Sequence, residues 1–164
     1  MAMAEGNILA RWQTSLETSA CSPLEFYDRV RCSLSERELP DLQFSHVTRN
    51  EKGWFSSRRV YLRIRYQRLY FDVYAFVAGT SLVIGWWLHM EQPGVADLLA
   101  EIPGFGFLIE KTARAATYYQ TDFLEFIQRA VHDSILRVVD ELSEDADLEY
   151  LPAEARAPVW EEVW

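Results

Sequence analysis

The sequence predicts an α+β protein in which an antiparallel sheet of about four strands carries a long helix on one face. The stretch from Arg58 to Met90 is rich in β-branched and aromatic residues and alternates apolar with polar side chains over short runs. The stretch from Thr117 to Leu142 instead repeats its apolar residues at the i, i+3, i+4 spacing of an amphipathic helix. The connections within residues 58–90 are too short for the crossovers that parallel strands require.

The length and the net charge of the chain limit its number of domains and its classes of partner. The chain has 164 residues, enough for one domain with its own core, and 14% of them are aromatic. Within this single domain we expect a docking arm at residues 1–20, a core at residues 21–142 and an acidic tail at residues 143–164. The formal net charge of −9 favours solubility and argues against non-specific binding to nucleic acid or anionic lipid.

The cysteines and the N-terminus bear on localisation. Cys21 and Cys32 form neither a CxxC pair nor a zinc pattern with the histidines, so we expect reduced thiols and a cytoplasmic protein. The N-terminal residues lack a basic region followed by an apolar run, and we expect no signal peptide. Residues 73–90 carry no formal charge, but their internal glycines and β-branched composition favour a hairpin over a membrane span.

The N-terminal quarter predicts two helical segments and a strand. Residues 7–19 place four apolar side chains at helical spacing, which predicts a short amphipathic helix or docking arm. Ser22 predicts the cap of a second helix, because proline follows it and Glu25 stands three residues later; this helix extends to about Leu34. Residues 41–49 are a candidate strand, and a turn follows.

From Arg58 the alternation assigns side chains to two faces of three strands. The first face is apolar and carries Val60, Leu62, Ile64, Tyr66, Leu69, Phe71, Val73, Ala75, Val77, Leu82, Ile84, Trp86 and Leu88. The second mixes arginines with aromatic side chains and carries Arg59, Tyr61, Arg63, Arg65, Tyr70, Asp72, Tyr74, Phe76, Val83, Gly85, Trp87 and His89. The chain reverses at residues 66–68 and 78–80. Because the last strand is apolar on both faces, we expect part of the second face to be covered.

The C-terminal half predicts a connection, a long helix and a tail. Residues 91–116 connect the last strand to the long helix, with a short helix at 95–102. The irregular loop at 103–107 packs locally, forms a flap, or inserts into a partner or membrane. A capping box at Thr117 predicts the start of the long helix, about 40 Å in length. Its outer side carries a ladder of alternating charges, namely Glu125, Arg129, Asp133, Arg137 and Glu141. Two tryptophans of the acidic tail, Trp160 and Trp164, either fold back onto the domain or dock into another chain.

Motifs for several chemistries are missing from the sequence. It contains no GxxxxGK[ST], no GxGxxG opening a helix, no GxSxG and no HExxH, so we expect no cofactor and no metal. The one charged cluster lies on the mixed face, where Arg63 and Arg65 are placed to approach Asp72 across a hairpin. It predicts either an anion site or a cross-strand ion pair. A restriction-type nuclease would need an acidic-x-basic pair on the next strand, and that strand has none.

Two blocks of sequence resemble a group of bacterial proteins. The block GTSLVIGWWL, followed by TYYQTDFLEFIQRAVHDSILRVVDEL, is similar to small α+β proteins in which a G-T/tryptophan strand precedes a tyrosine-led helix. The resemblance covers roughly residues 58–142 and implies a bacterial origin. That group is uncharacterised, so the resemblance implies no activity and no site residues.

The sequence therefore predicts a non-enzymatic adaptor or accessory subunit of a bacterial multi-protein system. The partner we expect is another protein, with a second copy of the chain as one candidate. Candidate interaction residues are Trp86, Trp87, Phe105, Phe107, Trp160 and Trp164, and Arg63 with Arg65 forms a candidate anion site. Two alternatives stay open: a dedicated chaperone or immunity-type inhibitor of another protein, and an enzyme with a dispersed site near Arg63, Arg65 and Asp72.

Overall fold

A computed structural model describes residues 8–50, 58–67, 69–90 and 106–160; of Asn50, Met90 and residues 106–124 it describes the backbone only. These residues form one antiparallel sheet of six strands in the order β2-β3-β4-β5-β1-β6. The elements along the chain are β1 (Ile8–Leu16), α1 (Pro23–Ser35), β2 (Gln43–Asn50), β3 (Arg58–Tyr66), β4 (Leu69–Ala78), β5 (Ser81–Met90), α2 (Gly106–Asp145), α3 (Ala153–Arg156) and β6 (Val159–Trp160). The predicted α+β class and antiparallel sheet are confirmed, but the sheet has six strands rather than about four.

The first element is a strand, so the helix predicted over residues 7–19 is wrong. β1 pairs with β5 along its whole length. The apolar spacing does not distinguish the two structures, because Trp12 and Leu16, four residues apart, share one side of a helix and also one face of a strand. Ala10 is buried with them while Arg11 is exposed, which is the period of two that a half-buried strand shows.

β3, β4 and β5 form the predicted meander with two-residue turns. The backbone of Gln67 in the first turn has φ +51°, and that of Gly79 in the second has φ +63°. Tight hairpins need this left-handed conformation because it matches the twist of the flanking strands. Both reversals lie where the sequence predicted them, and the pairing keeps each strand's predicted apolar and mixed faces.

The helix α1 begins as predicted and reaches the middle of the sheet. Ser22 Oγ accepts a hydrogen bond from the Glu25 amide at 3.2 Å, which caps the helix. Tyr27 then bridges β3 and β4 beyond the point where their pairing ends: its Oη donates to the Val60 carbonyl at 2.7 Å and accepts from the Ala75 amide at 2.9 Å. Burial raises the pKa of Tyr27 to about 12, so this hydroxyl stays protonated.

The helix α2 is longer than predicted, because it begins at Gly106 rather than at Thr117 and ends at Asp145. No proline or glycine interrupts residues 107–117, so the threonine of the predicted capping box lies inside the helix instead of ahead of it. Its fully buried core side chains are Ile127, Val131, Ile135, Val138 and Val139, and they join α1 and the apolar sheet face in one core. Of the predicted charge ladder, Arg137 contacts Glu141 at 3.3 Å.

The tail returns to the sheet. α3 lies after a turn, and β6 pairs with Ala10 and Arg11 of β1, which extends the sheet by a short sixth strand. Trp160 stands in β6 with 43% of its surface exposed. The structure therefore places the start of the predicted acidic tail against its own domain. Across the described residues, no helix has the length and apolar character to cross a membrane.

Candidate functional site

We call the sheet face opposite α1 and α2 the outer face. The strand pairing places on it, among others, Arg11, Gln13 and Ser15 in β1, Gln43, Ser45, Val47 and Arg49 in β2, Arg59, Tyr61, Arg63 and Arg65 in β3, Tyr70, Asp72, Tyr74 and Phe76 in β4, and Val83, Gly85, Trp87 and His89 in β5. Among them are five arginines and one carboxylate. Four of these arginines, Arg11, Arg59, Arg63 and Arg65, also take part in further interactions beyond those described below.

The carboxylate of Asp72 is the centre of the charged network on this face. Asp72 is fully buried, and Arg63 holds it through two hydrogen bonds, from Nε to Oδ1 at 2.7 Å and from Nη2 to Oδ2 at 2.9 Å. Arg49 adds a third from Nη2 to Oδ2 at 2.5 Å. This bidentate geometry is the strong form of an arginine–carboxylate pair. The predicted approach of Arg63 to Asp72 across the hairpin thus occurs, whereas Arg65 donates its Nε to the Gln67 carbonyl instead.

Guanidinium groups lie on aromatic rings across the same face. Arg63 stands 4.4 Å from the centre of the Tyr70 ring and Arg59 stands 4.2 Å from that of Phe76. At these distances a cation is attracted to the ring face, by about 0.5–1 kcal/mol where the pair is exposed. The contacts fix the orientation of the guanidinium groups while leaving Arg59 and Phe76 partly exposed.

A layer of aromatic rings continues toward β1. Tyr74 contacts Trp87 with ring centres 4.9 Å apart, and its ring crosses β5 above Gly85 to donate a hydrogen bond to Gln13 Oε1 at 2.8 Å. Tyr61 packs beside both rings, at 6.3 Å from Tyr74 and 6.0 Å from Trp87. Burial raises the pKa of Tyr74, with a smaller opposing contribution from the nearby arginines. Gly85 is required here because any side chain would occupy the space of the Tyr74 ring.

A second polar cluster lies on the helix side of the sheet. Trp86 Nε1 donates to His132 Nδ1 at 3.2 Å, so the other ring nitrogen of His132 carries the proton and donates to the Arg156 carbonyl at 2.6 Å. Trp12 Nε1 donates to the Ala155 carbonyl at 2.8 Å, and the Arg156 guanidinium forms a bidentate pair with Asp140. These bonds hold α3 against the core.

The protonation of His132 follows from its surroundings. Burial lowers its pKa below the ordinary 6.5, while the hydrogen bond to the Arg156 carbonyl and the charge of Asp133 oppose this and the Arg156 charge reinforces it. The imidazole is therefore neutral at pH 7. A neutral ring is also what the hydrogen bond from Trp86 requires, since a protonated Nδ1 would have no lone pair to accept it.

A groove of about 470 Å³ lies between α1 and α2 and is lined mostly by charged side chains. These charges are paired across or along the helices: Arg137 with Glu36 at 2.7 Å, and Arg29 with Glu25 at 3.0 Å. Cys32 borders the groove as a free, exposed thiol. In the part of the chain that the structure describes, no three histidine, cysteine or acidic side chains come together to hold a metal ion.

The predicted interaction residues occupy different environments. Trp87 is half-buried on the outer face, Trp160 is exposed in β6, and Trp86 is fully buried beneath α2. Phe107 lies in the first turn of α2, so the loop predicted at residues 103–107 gives way to helix from Gly106. Phe105 and Trp164, with the helix predicted at residues 95–102, lie outside the described residues.

Sequence reasoning missed Arg49 and His132 as members of these clusters. Arg49 lies beside Arg59 only because of the register between β2 and β3, and a strand period does not determine that register. His132 and Trp86 are 46 residues apart, so only the packing of α2 on the sheet joins them.

Comparison of the chain with protein-family models, with curated proteins and with solved structures found no match. The resemblance to a bacterial α+β group stays a prediction.

Proposed function

We propose that the protein is a non-enzymatic interaction module that binds another protein through the outer face of its sheet. The observation that carries this proposal is the composition of that face, where aromatic rings alternate with arginines. Tyrosine, tryptophan and arginine are the residue types that contribute most binding energy at protein interfaces. A sheet face that only meets water needs none of the large aromatic side chains.

The face is also organised before any partner arrives. Tyr61 and Tyr74 are buried, with 2% and 6% of their surface exposed, and their ring contacts restrict the rotamer of the half-buried Trp87. The hydrogen bonds to Asp72 restrict that of Arg63 in the same way. Ordering a long side chain on binding costs about 0.5–1.5 kcal/mol, so an ordered face retains more of its contact energy. This supports binding as the role of the arginine–aromatic layer.

The same geometry supports binding over catalysis. Asp72 is the one carboxylate among the described outer-face side chains, it is fully buried, and both of its oxygens accept hydrogen bonds from arginines. A general base must present a free lone pair to its substrate. We therefore assign Asp72 the role of holding Arg49 and Arg63 in place.

The charge of the whole chain favours a protein partner over nucleic acid. Its net charge is −9, and α2 and the tail carry many carboxylates, including Glu144, Asp145, Asp147 and Glu149. A long nucleic acid strand would extend past the outer face toward these carboxylates, and for this reason we favour a protein partner. Adaptor, chaperone and inhibitor roles all agree with this proposal and differ in the fate of the partner.

The experiment compares two double variants that remove the same charge. Arg59→Ala/Arg65→Ala changes the outer face, whereas Arg31→Ala/Arg37→Ala changes exposed arginines in α1 and the turn after it. A photo-crosslinking residue at Val83 reports which proteins of the native cell touch the face, and a captured protein is then purified and its affinity measured by calorimetry. We expect at least tenfold weaker binding for the outer-face variant alone, equivalent to about 1.4 kcal/mol. Equal affinity of both variants for the captured protein contradicts the proposal.

A further inference from the structure

The C-terminal segment after α2 is attached to the rest of the fold mainly by polar contacts. We call residues 153–160, which comprise α3 and β6, the strap. None of its side chains is buried, and two of its apolar ones, Val159 and Trp160, are 55% and 43% exposed. Burial of apolar side chains is the main force that holds the elements of a fold together. The strap therefore depends on its hydrogen bonds and its ion pair.

Two buried rings and one ion pair hold the strap. Trp12 Nε1 donates to the Ala155 carbonyl at 2.8 Å, and His132 Nε2 donates to the Arg156 carbonyl at 2.6 Å. The Arg156 guanidinium pairs with Asp140 at 2.7 Å, where both side chains are 30% exposed. Water can replace each of these partners, so release of the strap exchanges one set of hydrogen bonds for another. An element with so few buried apolar contacts opens at a lower free-energy cost than the sheet.

His132 holds the strap through a ring that is fixed at both nitrogens. Its Nδ1 accepts the hydrogen bond from Trp86 at 3.2 Å, while its Nε2 donates to the Arg156 carbonyl. A proton on Nδ1 places two N–H donors face to face, so the imidazolium has to move away from Trp86. Because the ring is rigid, this movement also carries Nε2 away from the Arg156 carbonyl. Protonation at one nitrogen is thus coupled to the bond that the other nitrogen makes with the strap.

We propose that the strap is a proton-sensitive cover of the β1 edge, which separates from the core when His132 is protonated. Release opens the edge of β1 at Ala10 and Arg11, where β6 otherwise pairs. The inference is independent of the binding proposed for the outer face, since the bonds of His132 to Trp86 and to the strap lie on the helix side of the sheet.

The groups that face the imidazole set the direction of the pH dependence. From the sheet these are the indoles of Trp12 and Trp86, which do not ionise. The charged ones are Asp133 on α2 and Arg156 on the strap. Release removes the Arg156 charge and admits water to the ring, and both changes favour the imidazolium.

The closed and open forms therefore differ in how readily they bind a proton. In the closed form burial lowers the pKa of His132 below the ordinary 6.5, and the Arg156 charge lowers it further, against the effects of the Arg156 carbonyl and Asp133. Once the strap has left, the ring meets water and its pKa returns toward about 6.5. The open form then binds more protons below that pH, so its population rises as the pH falls, by at most about tenfold per pH unit.

Hydrogen–deuterium exchange of the full chain, read by mass spectrometry, measures the opening of the strap. Dividing each exchange rate by that of the unfolded chain at the same pH removes the intrinsic effect of pH. We expect the opening constant of residues 153–160 to rise about threefold or more from pH 7.0 to pH 5.5, while peptides from β4 keep their protection. His132→Gln should abolish this rise. His46→Gln, which removes an exposed histidine of β2, should retain it.

Several results would overturn the proposal. One is an opening constant of the strap that does not change with pH, and another is a rise that persists in His132→Gln. Parallel loss of protection in β4 is a third, because acid then acts on the whole fold. If His132→Gln does not fold, titration of the wild-type imidazole by NMR decides together with the exchange data. A midpoint for His132 below 6.5 is expected, and one at or above 6.5 overturns the proposal, because acid then cannot favour release.

Discussion

Replacing Gly85 by alanine tests the packing that holds the aromatic layer of the outer face. A Cβ atom at this position would lie 2.5 Å from Cζ of Tyr74 and 2.6 Å from the carbonyl oxygen of Trp12, and it would also collide with the Tyr74 hydroxyl. The Tyr74 ring can swing away, but it then loses the hydrogen bond to Gln13. The Trp12 carbonyl belongs to the β1 backbone and moves only if the strand moves.

The expected cost combines these two effects. Forcing an added group into a packed site costs about 1–3 kcal/mol, and a lost hydrogen bond costs about 0.5–1.5 kcal/mol. Replacing glycine by alanine restores about 0.4–1 kcal/mol by reducing the entropy of the unfolded chain. We therefore expect Gly85→Ala to lower the free energy of unfolding by roughly 2 kcal/mol.

Urea unfolding followed by tryptophan fluorescence at pH 7 measures this value by linear extrapolation. Gly79→Ala is the matched control, because a Cβ there meets no atom within 4 Å and the cost comes only from its φ of +63°, about 1 kcal/mol. The same Gly85→Ala change made in a Tyr74→Val background, where the ring is absent, should cost less than it does in the wild-type chain. A change below 0.5 kcal/mol for Gly85→Ala, or an equal cost in the two backgrounds, would refute the packing argument.

Three further predictions concern other parts of the structure. Tyr27→Phe leaves a buried β4 amide and a β3 carbonyl unpaired, so urea unfolding should show a loss of about 2 kcal/mol; a loss below 0.5 kcal/mol contradicts the bridge. Asp72→Asn should lower the free energy of unfolding by about 3 kcal/mol in the same assay, which is the low end of the range for breaking a buried ion pair. The reason is that the Arg63 side chain is 15% exposed and regains some hydration when it loses the carboxylate. Burial lowers the pKa of His132, so the unfolded chain takes up a proton first and stability falls as pH drops below about 6.5, by up to 1.4 kcal/mol per pH unit. His132→Gln should be less stable at pH 7 and show a flatter profile between pH 7 and 5; parallel profiles would show that this histidine does not titrate on unfolding.

The meander was predictable because its signals are local. Alternation over β3, β4 and β5 fixed which side chains share a face, and Gly79 marked one reversal. β1 was not predictable from pattern alone, since it joins the sheet beside β5, far along the chain, and its apolar spacing fits two structures. The early start of α2 was missed because a threonine that resembles a cap has no capping role inside a continuing helix.

The candidate site was predictable to the level of its face and not to the level of its contacts. The alternation of side chains along the strands predicted Arg63, Asp72 and Trp87 on one face, and in the structure Arg63 forms a bidentate pair with Asp72. The third partner, Arg49, depends on how β2 registers with β3, which a strand period cannot determine. Trp86 and Trp87 are both candidate interaction residues by type, but the alternation assigns Trp86 to the apolar face, and the structure buries it there against His132.

The two faces of the sheet contribute differently to stability, and this affects how the protein can bind a partner. The apolar face is sealed by α1 and α2, and fully buried side chains such as Trp86, Ile84 and Phe71 supply the core there. On the outer face Arg59 is half-buried and Arg65 is exposed, so both lie outside that core and their replacement should cost little stability. Because the fold depends on one face and the proposed partner on the other, substitutions at these two arginines should separate binding from folding.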